Sequence, residues 1–219
     1  MRGRKLSSQR WLTRQLNDPF VSQSHERGLR SRAAIKLEQM DDKHKFLRPH
    51  MNVVDLGCAP GGWLQIAAKR CKIDAGVGRL VGIDLLETEA VPGAHILRGD
   101  IYDQSMLTDI KSYLQGSDAD IVLSDMAAAT TGHRPTDHLR TMGLLEVALD
   151  FAGEVLTEGG IFLGKSFRGG ADESLLALLK NRFKKVKHLK PPASRVESVE
   201  TYLLAIDFNK TRKPKKSNN

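Results

Sequence analysis

Carboxylates stand at the ends of a succession of apolar runs, and a glycine-rich turn follows the first of them. VVDLGCAPGGW, residues 53–63, carries Asp55 and then turns through Gly57, Gly61 and Gly62, where a Cβ would restrict the backbone or obstruct a ligand. RLVGIDLLE brings Asp84, a carboxylate able to accept both hydroxyls of a ribose. HILRGDIYD brings Asp100, and DIVLSDMA brings Asp125. The turn runs G-x-x-x-G-G with Pro60 inside it, which departs from the dinucleotide fingerprint and removes one N–H from any pyrophosphate cradle. Acids crowding one cleft suit a cationic adenosine without phosphates, and S-adenosylmethionine fits that description better than NAD or ATP. Each acid alone reads equally as a loop or cap residue; their recurrence behind one turn carries the inference.

Lys165 is the second unusual residue. It ends the apolar run GGIFLGK, although lysine is depleted in strands and costly to bury. Its head must therefore reach solvent, an acid or a substrate, and a snorkelling lysine at a strand end is the ordinary alternative. Glu200 opens the last apolar run, and Lys36 sits within the helical pattern SRAAIKLEQMDDKH, residues 31–44.

These residues need a scaffold that collects strand ends. Short apolar runs predict strands near 51–56, 79–84, 94–98, 119–124, 159–165, 184–189 and 200–208. Helices are predicted at 62–72, 104–115, 137–157 and 172–182, besides the one ahead of the first strand, which Pro49 stops. Such alternation predicts an α/β fold, Rossmann-like, with a seven-stranded, mostly parallel sheet covered by helices on both faces and ligands at the carboxyl ends of the strands. KPPASRVES joins the last two strands, and its Pro191 and Pro192 exclude a crossover helix, so those strands are expected to form a terminal antiparallel hairpin. That hairpin belongs to the S-adenosylmethionine-dependent methyltransferase fold.

With 219 residues, 40% of them hydrophobic and 27% charged, the chain suits one soluble domain. It contains no apolar run of membrane-spanning length and no signal-peptide pattern, so a cytoplasmic location is expected. Cys58 and Cys71 suggest neither a redox pair nor a zinc site. The net charge of +8 is concentrated at the ends. Residues 1–14 hold Arg2, Arg4, Lys5, Arg10 and Arg14, and residues 209–219 hold Lys210, Arg212, Lys213, Lys215 and Lys216, with no acid in either stretch; the remainder has 24 bases against 26 acids. Residues 1–14 and 209–219 thus read as basic arms for a polyanion, or as solubilising tails, flanking a domain at 15–208.

RSRAAIKL, VVDLGCAPGGW, LSDMA, GKSF and KPPASRVESVETYLLA occur in an order that resembles the FtsJ-type ribose 2′-O-methyltransferases over nearly the whole chain. The resemblance implies a catalytic tetrad of Lys36, Asp125, Lys165 and Glu200, with Lys165 accepting the proton. It also implies that Gly61, Trp63, Asp84, Asp100 and Asp125 contact S-adenosylmethionine. The acceptor it implies is a uridine ribose in the A-loop of large-subunit (23S) ribosomal RNA, within an assembled or nearly assembled 50S subunit and reached by a monomer. Transfer RNA as acceptor, or a noncatalytic RNA-binding ribosome-assembly factor, are the alternatives. Lys36 beside Lys165 is expected to lower the Lys165 pKa, while Asp125 and Glu200 orient the amine or oppose that shift. Two departures stand out: SDMAAATTGH, residues 124–133, lacks the proline and asparagine usual after SDMA, and Ile35 replaces an aromatic. His133, Asp137 and His138 read as a polar loop leading into a helix at Asp137 rather than as a metal site, because methyl transfer from a sulfonium needs no metal.

Overall fold

A computed structural model describes residues 18–128, 131–168 and 173–211. Two helices precede the sheet: α1 (Pro19–Glu26) and α2 (Arg32–His44). Strand β1 (Val53–Leu56) leads into α3 (Gly62–Cys71), then β2 (Leu80–Asp84), β3 (Ala94–Arg98), α4 (Gln104–Tyr113) and β4 (Ala119–Ser124). A long α5 (Arg134–Val155) runs into β5 (Leu156–Phe167), followed by α6 (Glu173–Arg182), β6 (Phe183–Leu189) and β7 (Glu200–Phe208).

The seven strands form one sheet in the order β3-β2-β1-β4-β5-β7-β6. All neighbours are parallel except β7, which runs antiparallel to both β5 and β6. The expected parallel sheet with an antiparallel hairpin is therefore present. The order reverses between β1 and β4, and open α/β sheets bind ligands at the carboxyl ends of strands flanking such a reversal.

Strand alternation divides the core into two layers. On one side, Val53, Ile121, Leu123, Ile161, Leu163 and Leu204 pack with Leu37 and Met40 of α2 and Leu64 and Ala67 of α3. On the other, Val54, Leu56, Val122, Phe162 and Leu203 pack with Ile110 of α4, Leu145 and Leu149 of α5 and Leu179 of α6. At roughly 25 cal/mol per Å² of apolar surface removed from water, each fully buried leucine or phenylalanine contributes about 2 kcal/mol to this sandwich.

Two sequence expectations are corrected. The fifth helix begins at Arg134, with Pro135 in its first turn, rather than at Asp137. A proline there loses no helical hydrogen bond, because the first-turn N–H groups have no intrahelical acceptor. Asp137 instead closes the preceding loop, accepting from the Thr131 and Gly132 N–H groups at 2.7 and 3.2 Å. The fifth strand extends from Leu156 to Phe167 rather than covering 159–165, so Lys165 lies inside it, paired with Tyr202 of β7. The terminal arms largely fall outside the described residues, as do Ala129 and Thr130 of the departing loop. Lys210, read from the sequence as part of an arm, is held against the domain by Asp118 at 2.7 Å. Among the described residues, no helix is long and apolar enough to cross a membrane, and no group of three His, Cys, Asp or Glu is placed to hold a metal.

Candidate active site

The carboxyl ends of β1, β2 and β4 open on a cavity of about 360 Å³, lined by Gly57, Asp84, Gly99, Asp100, Tyr102 and Asp125 among others. The residues after β1 give it its floor. Gly57 adopts φ +77°, and a Cβ there would come within 2.6 Å of Met126 Cγ, so only glycine lets the loops after β1 and β4 meet. Asp84 fixes the facing wall: Oδ2 accepts the Ala59 N–H at 2.9 Å and Oδ1 accepts the Leu86 N–H at 2.8 Å. Asp100 Oδ1 accepts the Tyr102 N–H at 3.1 Å. Both carboxylates retain free lone pairs for further donors such as ribose hydroxyls. Exposed Leu85, Leu86 and Tyr102 supply an apolar rim. The cavity volume, acidic walls and apolar rim fit a cationic adenosine ligand.

Asp55 lies beneath this cavity. It is fully buried, and neither carboxylate oxygen has a hydrogen-bond partner. Burial, reinforced by the charges of Asp125 and Asp84, pushes its pKa well above the ordinary carboxylate value. Gly61, Gly62 and Trp63 sit behind the loop instead of lining the cavity. A Cβ at Gly61 would approach Arg30 Nη1 within 2.6 Å, and one at Gly62 would approach Ser31 Oγ within 2.5 Å. Trp63 is buried, and its Nε1–H donates to the Ala33 carbonyl at 2.8 Å. Arg30 donates to the carbonyls of Pro60, Glu89 and Ala90 at 3.1, 2.6 and 2.7 Å. These contacts dock the start of α2 onto the glycine-rich loop.

That docking places Lys36 over the sheet, where two lysine–carboxylate pairs converge. Lys165 Nζ lies 2.7 Å from Asp125 Oδ1 and donates to the Asp125 carbonyl at 3.0 Å. Lys36 Nζ lies 2.5 Å from Glu200 Oε1. Tyr202 links the pairs: its hydroxyl is 2.9 Å from Asp125 Oδ1 and 3.4 Å from Glu200 Oε1. Ser194 Oγ also donates to Glu200 Oε1, at 2.8 Å. Sheet register explains the convergence. Lys165 pairs with Tyr202, Glu200 lies two residues earlier on the same face of β7, and α2 covers that face.

Electrostatics distinguish the two lysines. Burial lowers the Lys36 pKa and outweighs the attraction of Glu200 and Asp125. Burial acts on Lys165 as well, but Asp125, through its charge and hydrogen bond, together with Glu200, holds its pKa above the ordinary lysine value. Of the opposing influences that the sequence suggests for Lys165, its carboxylate neighbours prevail. Glu200 would rise through burial alone, yet Lys36 and Lys165 pull it from 4.5 to about 2. Tyr202 is pushed well up, by burial first and then by the two carboxylates. The resting cluster thus holds an ammonium at Lys165 and a neutral phenol at Tyr202.

The structure brings Lys36, Asp125, Lys165 and Glu200 together, and it brings Gly57, Asp84, Asp100 and Asp125 together; Asp125 belongs to both groups. Sequence reasoning overlooked Tyr202 and Ser194. Tyr202 was detectable as the residue two after Glu200, hence on the same face of a predicted strand. Ser194 reaches Glu200 through a loop fold without periodicity.

A mostly parallel sheet with an antiparallel β7, carrying an acid-lined cleft at its order reversal, defines a Rossmann-like methyltransferase. The chain belongs to the FtsJ-like methyltransferase family, whose sequence profile matches residues 29–208. It is 57% identical to the ribosomal RNA large subunit methyltransferase E of Mesorhizobium japonicum over 206 residues, covering 94% of this chain and 77% of that protein. Identity to the protein of the same name from Parvibaculum lavamentivorans is 54% over 214 residues, 94% of this chain and 84% of that one. Among solved structures, a Plasmodium falciparum protein described as a ribosomal RNA methyltransferase superposes with a TM-score of 0.73 at 31% identity, over 82% of this chain and 98% of that one.

Proposed function

We propose that this methyltransferase transfers a methyl group from S-adenosylmethionine to a ribose 2′-hydroxyl of large-subunit ribosomal RNA, with a uridine of the A-loop as acceptor. The observation that carries the chemistry is the pair of buried lysine–carboxylate contacts joined by Tyr202 at the edge of the acid-lined cavity. The names of the relatives support the class of RNA. The uridine and the 2′ position rest on the motif resemblance together with the lysine cluster.

S-adenosylmethionine, when bound, supplies an electrophilic methyl on a sulfonium. Asp84 and Asp100 would hold the ribose of the donor, Gly57 lets the loops after β1 and β4 meet beside it, and Asp55 stays buried in β1. Gly61, Gly62 and Trp63 support the loop through α2. Alignment of acceptor oxygen, methyl carbon and sulfur, with water excluded, is the largest contribution the protein can make. Lys165 Nζ would take the proton that leaves the 2′-oxygen as the new C–O bond forms and the methyl carbon–sulfur bond breaks, its electron pair staying on the departing thioether, and Lys36 and Glu200 position that amine and the ribose. Lys165 must first release to solvent the proton that Asp125 and Glu200 stabilise. A cation held in the cavity against Asp125 would weaken that support and favour the neutral amine.

The basic residues of 1–14 and 209–219 add affinity for RNA phosphates without choosing the nucleotide, and the enzyme works as a monomer in the cytoplasm on a nearly assembled 50S subunit. The test is methyl transfer from labelled donor to isolated large subunits, naked ribosomal RNA and transfer RNA, followed by mapping of 2′-O-methyl positions. Transfer to large subunits at one A-loop uridine, reduced at least 100-fold by Lys165→Ala, is expected. Preferential labelling of transfer RNA, or donor binding without transfer to any RNA, refutes the reading. Near-normal turnover of Lys165→Ala refutes the assigned base.

A further inference from the structure

A second cavity, of about 400 Å³, adjoins the lysine cluster and is lined by Asp18, Phe20, Arg32, Pro192, Ser194 and Arg195 among others. Three separate segments meet there: the N-terminus of α1, the first residue of α2, and the loop between β6 and β7. Two guanidinium groups converge on one oxygen of Asp18. Arg32 Nη1 contacts Oδ2 closely, and Arg195 reaches the same oxygen through Nε at 3.3 Å and Nη2 at 3.1 Å. The other oxygen, Oδ1, accepts the Phe20 N–H at 3.1 Å and caps α1. Ser194 joins the cavity to the candidate active site through its hydrogen bond to Glu200, and the charge of Arg32 is felt at Lys165.

This is an arrangement for an oxyanion with the anion supplied by the chain itself. Two guanidiniums meet at Asp18, and Glu197 also lines the cavity, so the charges balance and it is the direction of the guanidinium donors that suits a phosphate. Their donors are aimed at a single oxygen, as they would be at a non-bridging phosphate oxygen. The side chains of Arg32 and Arg195 remain 18% and 27% exposed, and Val196 beside them stands almost fully in solvent, so an incoming strand can reach the guanidiniums. Asp18 is itself buried, its side chain 6% exposed, so only an anion that takes over both guanidinium contacts in place can release Oδ2 from them, while Oδ1 continues to cap the helix.

We propose that Arg32 and Arg195 form the seat for a backbone phosphate of the RNA next to the methylated nucleotide, and that Asp18 occupies this seat in the free protein and is displaced by that phosphate. Asp18 is then an internal competitor that weakens binding of RNA whose backbone does not reach the seat, so it raises discrimination at the expense of affinity. The proposal rests on the reading of RNA as the acceptor.

The test uses the full chain and a short labelled single-stranded oligoribonucleotide, with binding followed by anisotropy across a salt series. Asp18→Asn keeps the helix cap and removes the competing charge. It should lower Kd about threefold to tenfold near ~0.1 M salt and steepen the slope of log K against log salt by about 0.7. Arg195→Gln, on an outward loop, should raise Kd and make the slope shallower by about the same amount. Weaker or unchanged binding by Asp18→Asn with an undiminished unfolding temperature overturns the proposal. If Asp18→Asn does not fold, an unchanged Kd and slope for Arg195→Gln overturns it alone. Absence of methyl transfer to every RNA would sink the acceptor reading, whereas wild-type transfer with unaltered binding by both variants would sink only the phosphate seat.

Discussion

Replacing Glu200 by Gln tests the electrostatic account of the site most directly. Its carboxylate accepts from Lys36 at 2.5 Å and Ser194 at 2.8 Å, with its side chain 16% exposed. Against the upward effect of burial, Lys36, Lys165 and the Ser194 hydrogen bond draw its pKa from 4.5 to about 2. Each pH unit of displacement corresponds to about 1.4 kcal/mol, so the charged carboxylate stabilises the fold by roughly 3 kcal/mol at neutral pH. The sign follows from the depressed value: the contribution is complete above the unfolded pKa near 4.5 and disappears as pH falls towards 2. Lys36 moderates the loss. Burial already lowers its pKa, and without Glu200 it can shed its proton rather than remain an unpaired buried cation. Glu200→Gln should therefore cost about 2 to 3 kcal/mol at pH 7. Urea unfolding at a series of pH values, extrapolated to water, measures this, and the wild-type advantage should shrink steadily below about pH 4.5. Equal stabilities at pH 7, or a difference independent of pH down to about 2.5, would refute the reasoning.

Gly57→Ala places a methyl 2.6 Å from Met126 Cγ at φ +77°, and should reduce stability by about 1 to 3 kcal/mol and weaken donor binding, seen in thermal unfolding and calorimetry. Tyr202→Phe removes the hydroxyl that joins Asp125 to Glu200, and should cost about 1 kcal/mol in urea unfolding while changing the pH dependence of methyl transfer. Asp84→Asn loses charge but keeps an acceptor for one loop N–H; donor Kd should rise about tenfold or more, with the far-ultraviolet spectrum unchanged. Removing residues 1–9 and 212–219 deletes seven cations, and should flatten the salt dependence of RNA binding while leaving the methylated position unaltered.

The fold was legible because its signals are local. Apolar runs such as Ile121–Leu123 and Ile161–Leu163 mark strands whatever their neighbours, and Pro191 with Pro192 forbids a crossover helix. Boundaries were less legible. The fifth strand runs on to Phe167 because β7 supplies hydrogen-bond partners as far as Glu200, which no local pattern records. The fifth helix starts at Arg134 because a proline is tolerated in the first turn, where a sequence reading sees a breaker.

The sequence by itself determined the class of chain, the order of strand-end acids, the glycine-rich turn and the oddity of a lysine within an apolar strand, since composition, periodicity and turn chemistry are properties of neighbouring residues. Only the tertiary structure decided which charges face one another. Lys165 meets Asp125 across 40 residues and Lys36 meets Glu200 across 164, through strand register and the docking of α2 on the glycine loop. The same packing raised the Asp55 pKa, held the Lys165 pKa above its ordinary value, and set Asp18 between two arginines. Protonation depends on burial and on distances between side chains, and a linear pattern contains neither.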